Sequence, residues 1–133
     1  YILHLQIEGR VLNELVYNHI LPSSIEYQNK LIKNVMGLKD IYGAAHKKLT
    51  DGQLTIIEQI AEHLVEVKKL TDHMTDARKK ANKLSDSAKK ANAYCENVRP
   101  YFDEIRYHCD KLEQVVENQI WPLTKYRELL FIK

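Results

Sequence analysis

Histidines and glutamates are the first side chains of this sequence to test for chemistry. A di-iron helical bundle needs inward glutamates and Glu-x-x-His on two helices, and no Glu-x-x-His occurs among the 133 residues. Glu104 and His108 are four residues apart, and one such pair supports a weak site at most. His63 and His73 are ten residues apart on a polar side. We interpret the histidines as surface or capping residues and predict no metal site.

Carboxylates and thiols also lack partners for catalysis. Glu58, Glu62 and Glu66 form an acidic stripe, which we interpret as a solvated face near a helix N-terminus, where negative charge is favourable. Cys95 and Cys109 are two heptads apart, so in a continuous helix they would be separated by ~21 Å, which forbids a disulfide. We predict buried, reduced thiols in a cytoplasmic protein.

A basic cluster between residues 78 and 90 could contact phosphates. Its members are Arg78, Lys79, Lys80, Lys83, Lys89 and Lys90. Asp72, Asp76 and Asp86 lie along the same stretch, and no aromatic residues are interleaved. We therefore predict a solvated or salt-bridged helix face and no nucleic-acid partner. Because the four glycines stand apart from one another, we also expect no phosphate-binding loop and no cofactor site.

Composition favours a helical protein. Apolar residues make up 44% and charged residues 29%, which is typical of folded chains. The four glycines and three prolines are too few for the many turns of a sandwich or barrel. No uncharged apolar run approaches the roughly 18 residues of a membrane span, so we predict no membrane partner. The net charge of +2 gives no strong field for polyanions.

The first predicted helix covers residues 3–42. Apolar residues recur at three- and four-residue steps on both sides of Pro22, which favours one proline-kinked helix. A turn at Pro22-Ser23-Ser24 remains the alternative. Gly43 is positioned to end the helix.

The second predicted helix covers residues 51–98. Thr50 and Gln53 have capping-box spacing, and two apolar series with a seven-residue period follow, which predicts coiled-coil-like packing. Three members of this seam are candidate packing or interface residues: Val67, Met74 and Leu84. A third helix is predicted over 100–119, with Pro100 at its first turn. Whether the chain kinks or reverses at Asn97–Pro100 stays open.

The end of the chain is unusually apolar. We predict a short helix over 124–130, and candidate packing or interface residues are Trp121, Leu129, Leu130 and Phe131. This tail either packs on its own bundle or contacts a neighbour. The predicted fold is all-α: one domain, residues 1–133, forming an antiparallel bundle of long, proline-kinked helices with a short C-terminal helix.

Several segments resemble the C-terminal helical region of type III glutamine synthetases, the large bacterial form. The first is Gln6-Ile7-Glu8-Gly9-Arg10-Val11-Leu12, where the family usually has Ser in place of Gly9. Further similarity lies in residues 18–22, 27–29, 37–39, 77–83 and 104–113. The ending, Trp121-Pro122-Leu123-Thr124-Lys125-Tyr126-Arg127-Glu128-Leu129-Leu130-Phe131, is the most specific, although Thr124 replaces a usual Pro.

The resemblance implies a parent enzyme that joins ammonia to glutamate, uses ATP with magnesium or manganese, and assembles from hexameric rings. None of the family's catalytic motifs lies in this stretch, so no catalytic residue is carried over. The implied partners are the catalytic domain and neighbouring subunits, and the fragment by itself could self-associate. A rival hypothesis is a free-standing helical adaptor that docks a partner through its heptad seam.

Overall fold

The first helical run passes through Pro22 without a break. A computed structural model describes residues 1–116 of the chain. Helix α1 covers Ile2–Leu15, a π-helical segment covers Val16–Ile20, and helix α2 covers Leu21–Tyr42. No turn forms at residues 22–24.

The π-helical segment makes room in the helix for the ring of Pro22. Proline lacks an N–H, and its ring clashes with the carbonyl four residues earlier in an α-helix. That carbonyl belongs to Asn18, inside the widened π segment, where Leu21 N–H bonds to Val16 O five residues back. The widened turn therefore accommodates the ring while the helix continues.

Gly43 ends α2 with a backbone conformation that only glycine adopts readily. Its φ of 58° and ψ of −132° lie outside the regions allowed for residues with a Cβ. Its N–H bonds to Lys39 O, and a 3₁₀ turn over Gly43–Ala45 leads into the next helix.

Helix α3 covers His46–Asn82, so it begins five residues before the predicted start. Thr50 is not its N-cap. The Thr50 hydroxyl is buried and donates to His46 O at 3.1 Å, four residues back. The preceding 3₁₀ turn already has helical dihedral angles at Ala45, so the helix starts there and the capping-box spacing has no role.

The predicted helix over 51–98 is wrong, because the chain leaves the helix at residues 83–86. Helix α4 restarts over Ser87–Ala93, capped by the Asp86 side chain, which accepts from Ala88 N–H at 3.4 Å. At this break the seam consists of Leu84 and Ala88, both exposed, so packing there does little to hold a continuous helix. Beyond the break, Tyr94 OH donates to Asn82 Oδ1 at 2.5 Å, so the chain returns alongside α3.

The last described helix passes through Pro100 in the same way as the first run passes through Pro22. A π-helical segment covers Tyr94–Val98, and helix α5 covers Pro100–Val115. The change of direction thus lies at residues 83–86 and not at Asn97–Pro100. Helix α5 stops earlier than the predicted residue 119, because Val116 adopts an extended ψ of 138°.

The core lies where three segments meet: the first run (residues 2–42), α3, and the last run, which consists of the second π-helical segment and α5 (residues 94–115). Completely buried apolar side chains come from all three: Val16, Ile20, Ile60, Val67, Met74, Tyr94, Val98, Ile105 and Leu112. The all-α class is confirmed: 94% of the described residues are helical, and they form no strand.

Polar contacts set the register between the first run and α3. As the residue number rises along the first run, the partner's number falls along α3. The contacts are Gln6 with Asn82, Asn13 with Thr75, Gln28 with Ile57 O, and Asn34 with Gln53.

Candidate functional site

The heptad-seam candidates occupy two different environments. Val67 and Met74 are fully buried in the core, whereas Leu84 is 37% exposed at the break after α3. Leu84 lines a surface cleft together with residues of α3 and α5. The tail candidates Trp121, Leu129, Leu130 and Phe131, and the predicted helix 124–130, lie outside the described residues.

A polar cluster links the first run to α3. Tyr17 OH donates a hydrogen bond to the Asp72 carboxylate, and Lys68 Nζ donates to the same carboxylate at 2.8 Å. These two donors lower the pKa of Asp72, and the bond to Asp72 raises the pKa of Tyr17. Asp72 is thus held ionised between two helices. The cluster positions helices and offers no free nucleophile or base.

The first run also contacts the last run through its charged residues. Glu8 forms an ion pair with Arg106 of α5, and Arg99 Nη1 donates to Tyr1 OH at 2.9 Å. Arg106 and Arg99 are both exposed, so each contact contributes little to stability. Their value is to fix which faces of the two runs meet.

Two histidines that are 45 residues apart in sequence meet across α3 and α5. His63 Nδ1 and His108 Nδ1 are 2.9 Å apart, so one ring donates an N–H to the lone pair of the other. Burial and the nearby His63 lower the pKa of His108, and Glu66 and Glu104 oppose this shift. Sequence reasoning missed the pair because no local spacing connects the two positions.

Neither the histidine pair nor the acidic stripe assembles into a metal cluster. Within residues 1–116, no three His, Cys, Asp or Glu side chains come close enough together to hold a metal ion. Glu58 and Glu62 of the stripe are exposed, and Glu66 lies near His108. The stripe therefore has the surroundings of a solvated helix face.

The two cysteines are separate free thiols. Burial raises the pKa of Cys109 to about 12, which leaves almost no thiolate at neutral pH. Cys95 Sγ donates to Tyr1 OH at 3.5 Å. Cys109 is thus the opposite of an activated nucleophile, which requires a lowered thiol pKa or an adjacent base.

An exposed apolar stripe follows the outer side of α1. Leu3, Ile7 and Val11 are 60%, 43% and 55% exposed. Residues four apart share a helix face, so these three side chains form one strip. Their i, i+4 spacing is visible in the sequence, but the apolar stripe of Leu12, Val16 and Ile20 predicted the buried face, which lies on the opposite side of the helix. The three side chains therefore present one strip of apolar surface on the outer side of α1.

No helix in the described part of the chain is both long and apolar enough to cross a membrane.

Comparison with known proteins shows what this helical chain is similar to. The family model described as "Glutamine synthetase C-terminal domain" matches residues 1–39. A glutamine synthetase of Bacteroides fragilis is 42% identical over 134 aligned positions, which cover 100% of this chain. The resemblance to glutamine synthetases is confirmed. A "Type-3 glutamine synthetase" of Dictyostelium discoideum is 42% identical over 38 residues, or 29% of this chain.

The chain corresponds to a small part of these glutamine synthetases. It spans 18% of the length of the Bacteroides protein, and its alignment spans 5% of the Dictyostelium protein. The exposed stripe on α1 lies inside the residues 1–39 that match the C-terminal domain model.

Proposed function

We propose that this chain is a non-catalytic helical part of a type III glutamine synthetase and serves its architecture or subunit contacts. The observation that carries the proposal is the similarity of the whole chain to 18% of a glutamine synthetase. The described residues support it: Asp72 and Glu8 are engaged in contacts between helices, and no metal-ligand set comes together within residues 1–116.

The proposed parent reaction is the ATP-dependent ligation of ammonia to glutamate in the cytoplasm. Under this proposal the magnesium or manganese ions and the ATP are bound by the catalytic domain, and this chain contributes no catalytic residue. The raised pKa of Cys109 and the ionised, doubly bonded Asp72 support that assignment, because neither group is poised to react.

We further propose that the fold is an antiparallel, proline-kinked bundle with coiled-coil-like packing. Two observations support this arrangement. The polar contacts between the first run and α3 fall along α3 as they rise along the first run. The seam positions Ile60, Val67 and Met74, at seven-residue intervals, are fully buried.

The contact surface that we propose for the rest of the enzyme is the outer side of α1. Leu3, Ile7 and Val11 present apolar surface there, and burying it against the parent's catalytic domain or a neighbouring subunit would remove it from water. The adaptor hypothesis is less well supported, because its proposed docking seam is already filled: Val67 and Met74 are fully buried within the chain.

The experiment replaces the outer stripe in the complete enzyme. The triple variant Leu3→Gln, Ile7→Gln, Val11→Gln should reduce assembly in sedimentation, because it removes the apolar contact. A matched control changes three exposed polar residues of α3, away from the strip: Glu58→Gln, Glu62→Gln and Lys69→Gln. Equal assembly of the triple variant, the control and the wild type would refute the contact role. Glutamine synthesis by the 133-residue chain would refute the non-catalytic assignment.

We propose a packing or interface role for the tail residues Trp121, Leu129, Leu130 and Phe131 as well. Each aromatic side chain can bury roughly 150–250 Å², which is worth up to about 4–6 kcal/mol in apolar transfer. Truncation after Gln119 should therefore lower the melting temperature, the self-association of the chain, or both. A truncated chain that melts and sediments like the original would contradict this role.

A further inference from the structure

A small cavity lies near the end of α3, where the chain turns back. Its volume is about 370 Å³, within the range of small-ligand sites. The first run, α3, and the α4 segment with the π-helical segment that follows it all contribute lining residues. These are Gln6, Arg10, Arg78, Asn82, Lys90 and Tyr94.

The charged residues that line this cavity are all basic. Arg10, Arg78 and Lys90 come from three different helices, and no acidic residue lines the cavity. None of the three forms an ion pair with a carboxylate in residues 1–116. Three cations brought together without a counter-charge repel one another, and a bound anion would remove that repulsion.

The acidic residues that could form salt bridges with the basic cluster have other contacts. Asp72 accepts from Tyr17 and Lys68, and Asp86 caps α4 by accepting from Ala88 N–H. Asp76 lines the separate cleft beside Leu84. The basic side chains at the cavity therefore remain uncompensated by these neighbours.

Arg78 has an unsatisfied donor and a special packing partner. Its Nε is buried and has no hydrogen-bond partner among the described residues, and leaving a charged donor unpaired is costly. The side chain lies across Gly9: a Cβ at that position would be 2.7 Å from Arg78 Cδ and 2.9 Å from Arg78 Nε. The absence of a side chain at Gly9 thus allows the guanidinium to occupy this place.

Neutral groups complete the lining. Asn82 Oδ1 accepts from Tyr94 OH at 2.5 Å and from Gln6 Nε2 at 3.4 Å. These bonds use the acceptor of Asn82 and leave its amide N–H groups as donors. Tyr94 is completely buried and packs in the core, so its ring offers no exposed stacking surface for a nucleobase.

We propose that this cavity binds a small phosphate-class oxyanion, either inorganic phosphate or the phosphate of a small phosphomonoester. Guanidinium groups bind such oxyanions through paired N–H donors, and Lys90 adds a third positive charge. The site is separate from the architectural role proposed above and does not depend on it.

The test is a titration of the 133-residue chain with inorganic phosphate at constant ionic strength, followed by ¹⁵N NMR and calorimetry. A second arm uses glycerol phosphate, and the tighter-binding probe identifies the source of the phosphate group. We expect saturable one-to-one binding with shifts at the Arg78 side-chain N–H. Arg10→Gln, Arg78→Gln and Lys90→Gln should each weaken binding about tenfold, the value of one charge-assisted hydrogen bond.

Two further variants separate a defined site from diffuse charge. Lys79→Gln removes one exposed charge beside Arg78 but outside the cavity and should leave the affinity unchanged. Gly9→Ser should displace the flexible end of Arg78 and weaken binding without lowering the melting temperature. The proposal is overturned if neither probe binds at millimolar concentration, if chloride alone produces the same shifts, or if Lys79→Gln weakens binding as much as Arg78→Gln.

Discussion

Met74 and Leu84 are both seam positions of the same heptad pattern, yet truncating them to alanine should have very different effects. Met74 is fully buried in the core, whereas Leu84 is 37% exposed at the break after α3. Each substitution removes three side-chain heavy atoms. At about 0.8 kcal/mol per buried methylene, the transfer contribution at Met74 is roughly 2 kcal/mol.

The cavity left behind raises the cost at Met74. Buried Met→Ala changes cost about 2–5 kcal/mol in total. At Leu84 about two thirds of the side chain is covered, and water can fill the space in the open cleft, so we expect about 1.5 kcal/mol or less. For 133 residues, an unfolding entropy of about 2.1 cal/mol/K per residue gives roughly 3.6 °C per kcal/mol.

The assay is thermal unfolding followed by circular dichroism at 222 nm. Met74→Ala should lower the melting temperature by roughly 7–18 °C and Leu84→Ala by about 5 °C or less. Val65→Ala is the control, because Val65 is 64% exposed on the same helix and should change little. Equal losses for Met74→Ala and Leu84→Ala would refute the break at residues 83–86 and restore the continuous seam.

Three other predictions concern single side chains. Burial and His63 lower the pKa of His108 in the folded chain below its usual 6.5, so the stability that neutral His108 contributes is present above that pH and is lost as the pH falls. The melting temperature should therefore drop between about pH 7 and pH 5, and the drop should be smaller in His108→Asn. Cys109, whose thiol pKa is raised to about 12, should resist iodoacetamide at pH 8 until guanidinium unfolds the chain; rapid labelling of Cys109 in the folded chain, distinguished from Cys95 by peptide mapping, would contradict its burial. Gly43→Ala should cost roughly 1–3 kcal/mol in denaturant unfolding because of its positive φ, whereas Gly52→Ala, in open space within α3, should not destabilise.

The helical faces could be predicted because they depend on local periodicity. Ile60, Val67, Met74 and Ala81 recur every seven residues, and all four are buried. Periodicity reports which side chains share a face, whatever the rest of the chain does. It cannot report whether the helix between them is continuous.

The break at residues 83–86 could not be predicted for that reason. Alanine keeps an apolar pattern in register while contributing little surface to bury, and the seam continues through Leu84 and Ala88, which are both exposed. A Thr–Gln pair at capping-box spacing was similarly ambiguous, since a threonine hydroxyl can cap a helix or bond back to a carbonyl one turn earlier. Thr50 does the second.

The polar sites could not be predicted without knowing where the chain turns. His63 meets His108, and Lys90 joins Arg78 at the cavity, only because the chain reverses after Asn82. Arg10 lies near Arg78 through the earlier pairing of the first run with α3. Moving the reversal to Pro100, as the sequence allowed, would separate the two histidines and move Lys90 away from Arg78. Contacts between distant segments follow from topology, and periodicity within one segment carries no information about them.

The π-helical segments before Pro22 and Pro100 make the number of residues in each run as important as their identity. Each segment holds five residues in a wider turn. Deleting one residue from 16–20 would leave an ordinary α-helical turn, which keeps Ser24 and Val35 facing the core but brings the carbonyl four residues before Pro22 against its ring. A deletion between Ser24 and Val35 has no wide turn to absorb it and would rotate Val35 by about 100° about the helix axis. We therefore expect related chains that lose one residue at either π-helical segment to lack the proline that follows it, and we expect chain length to vary at residues 83–86.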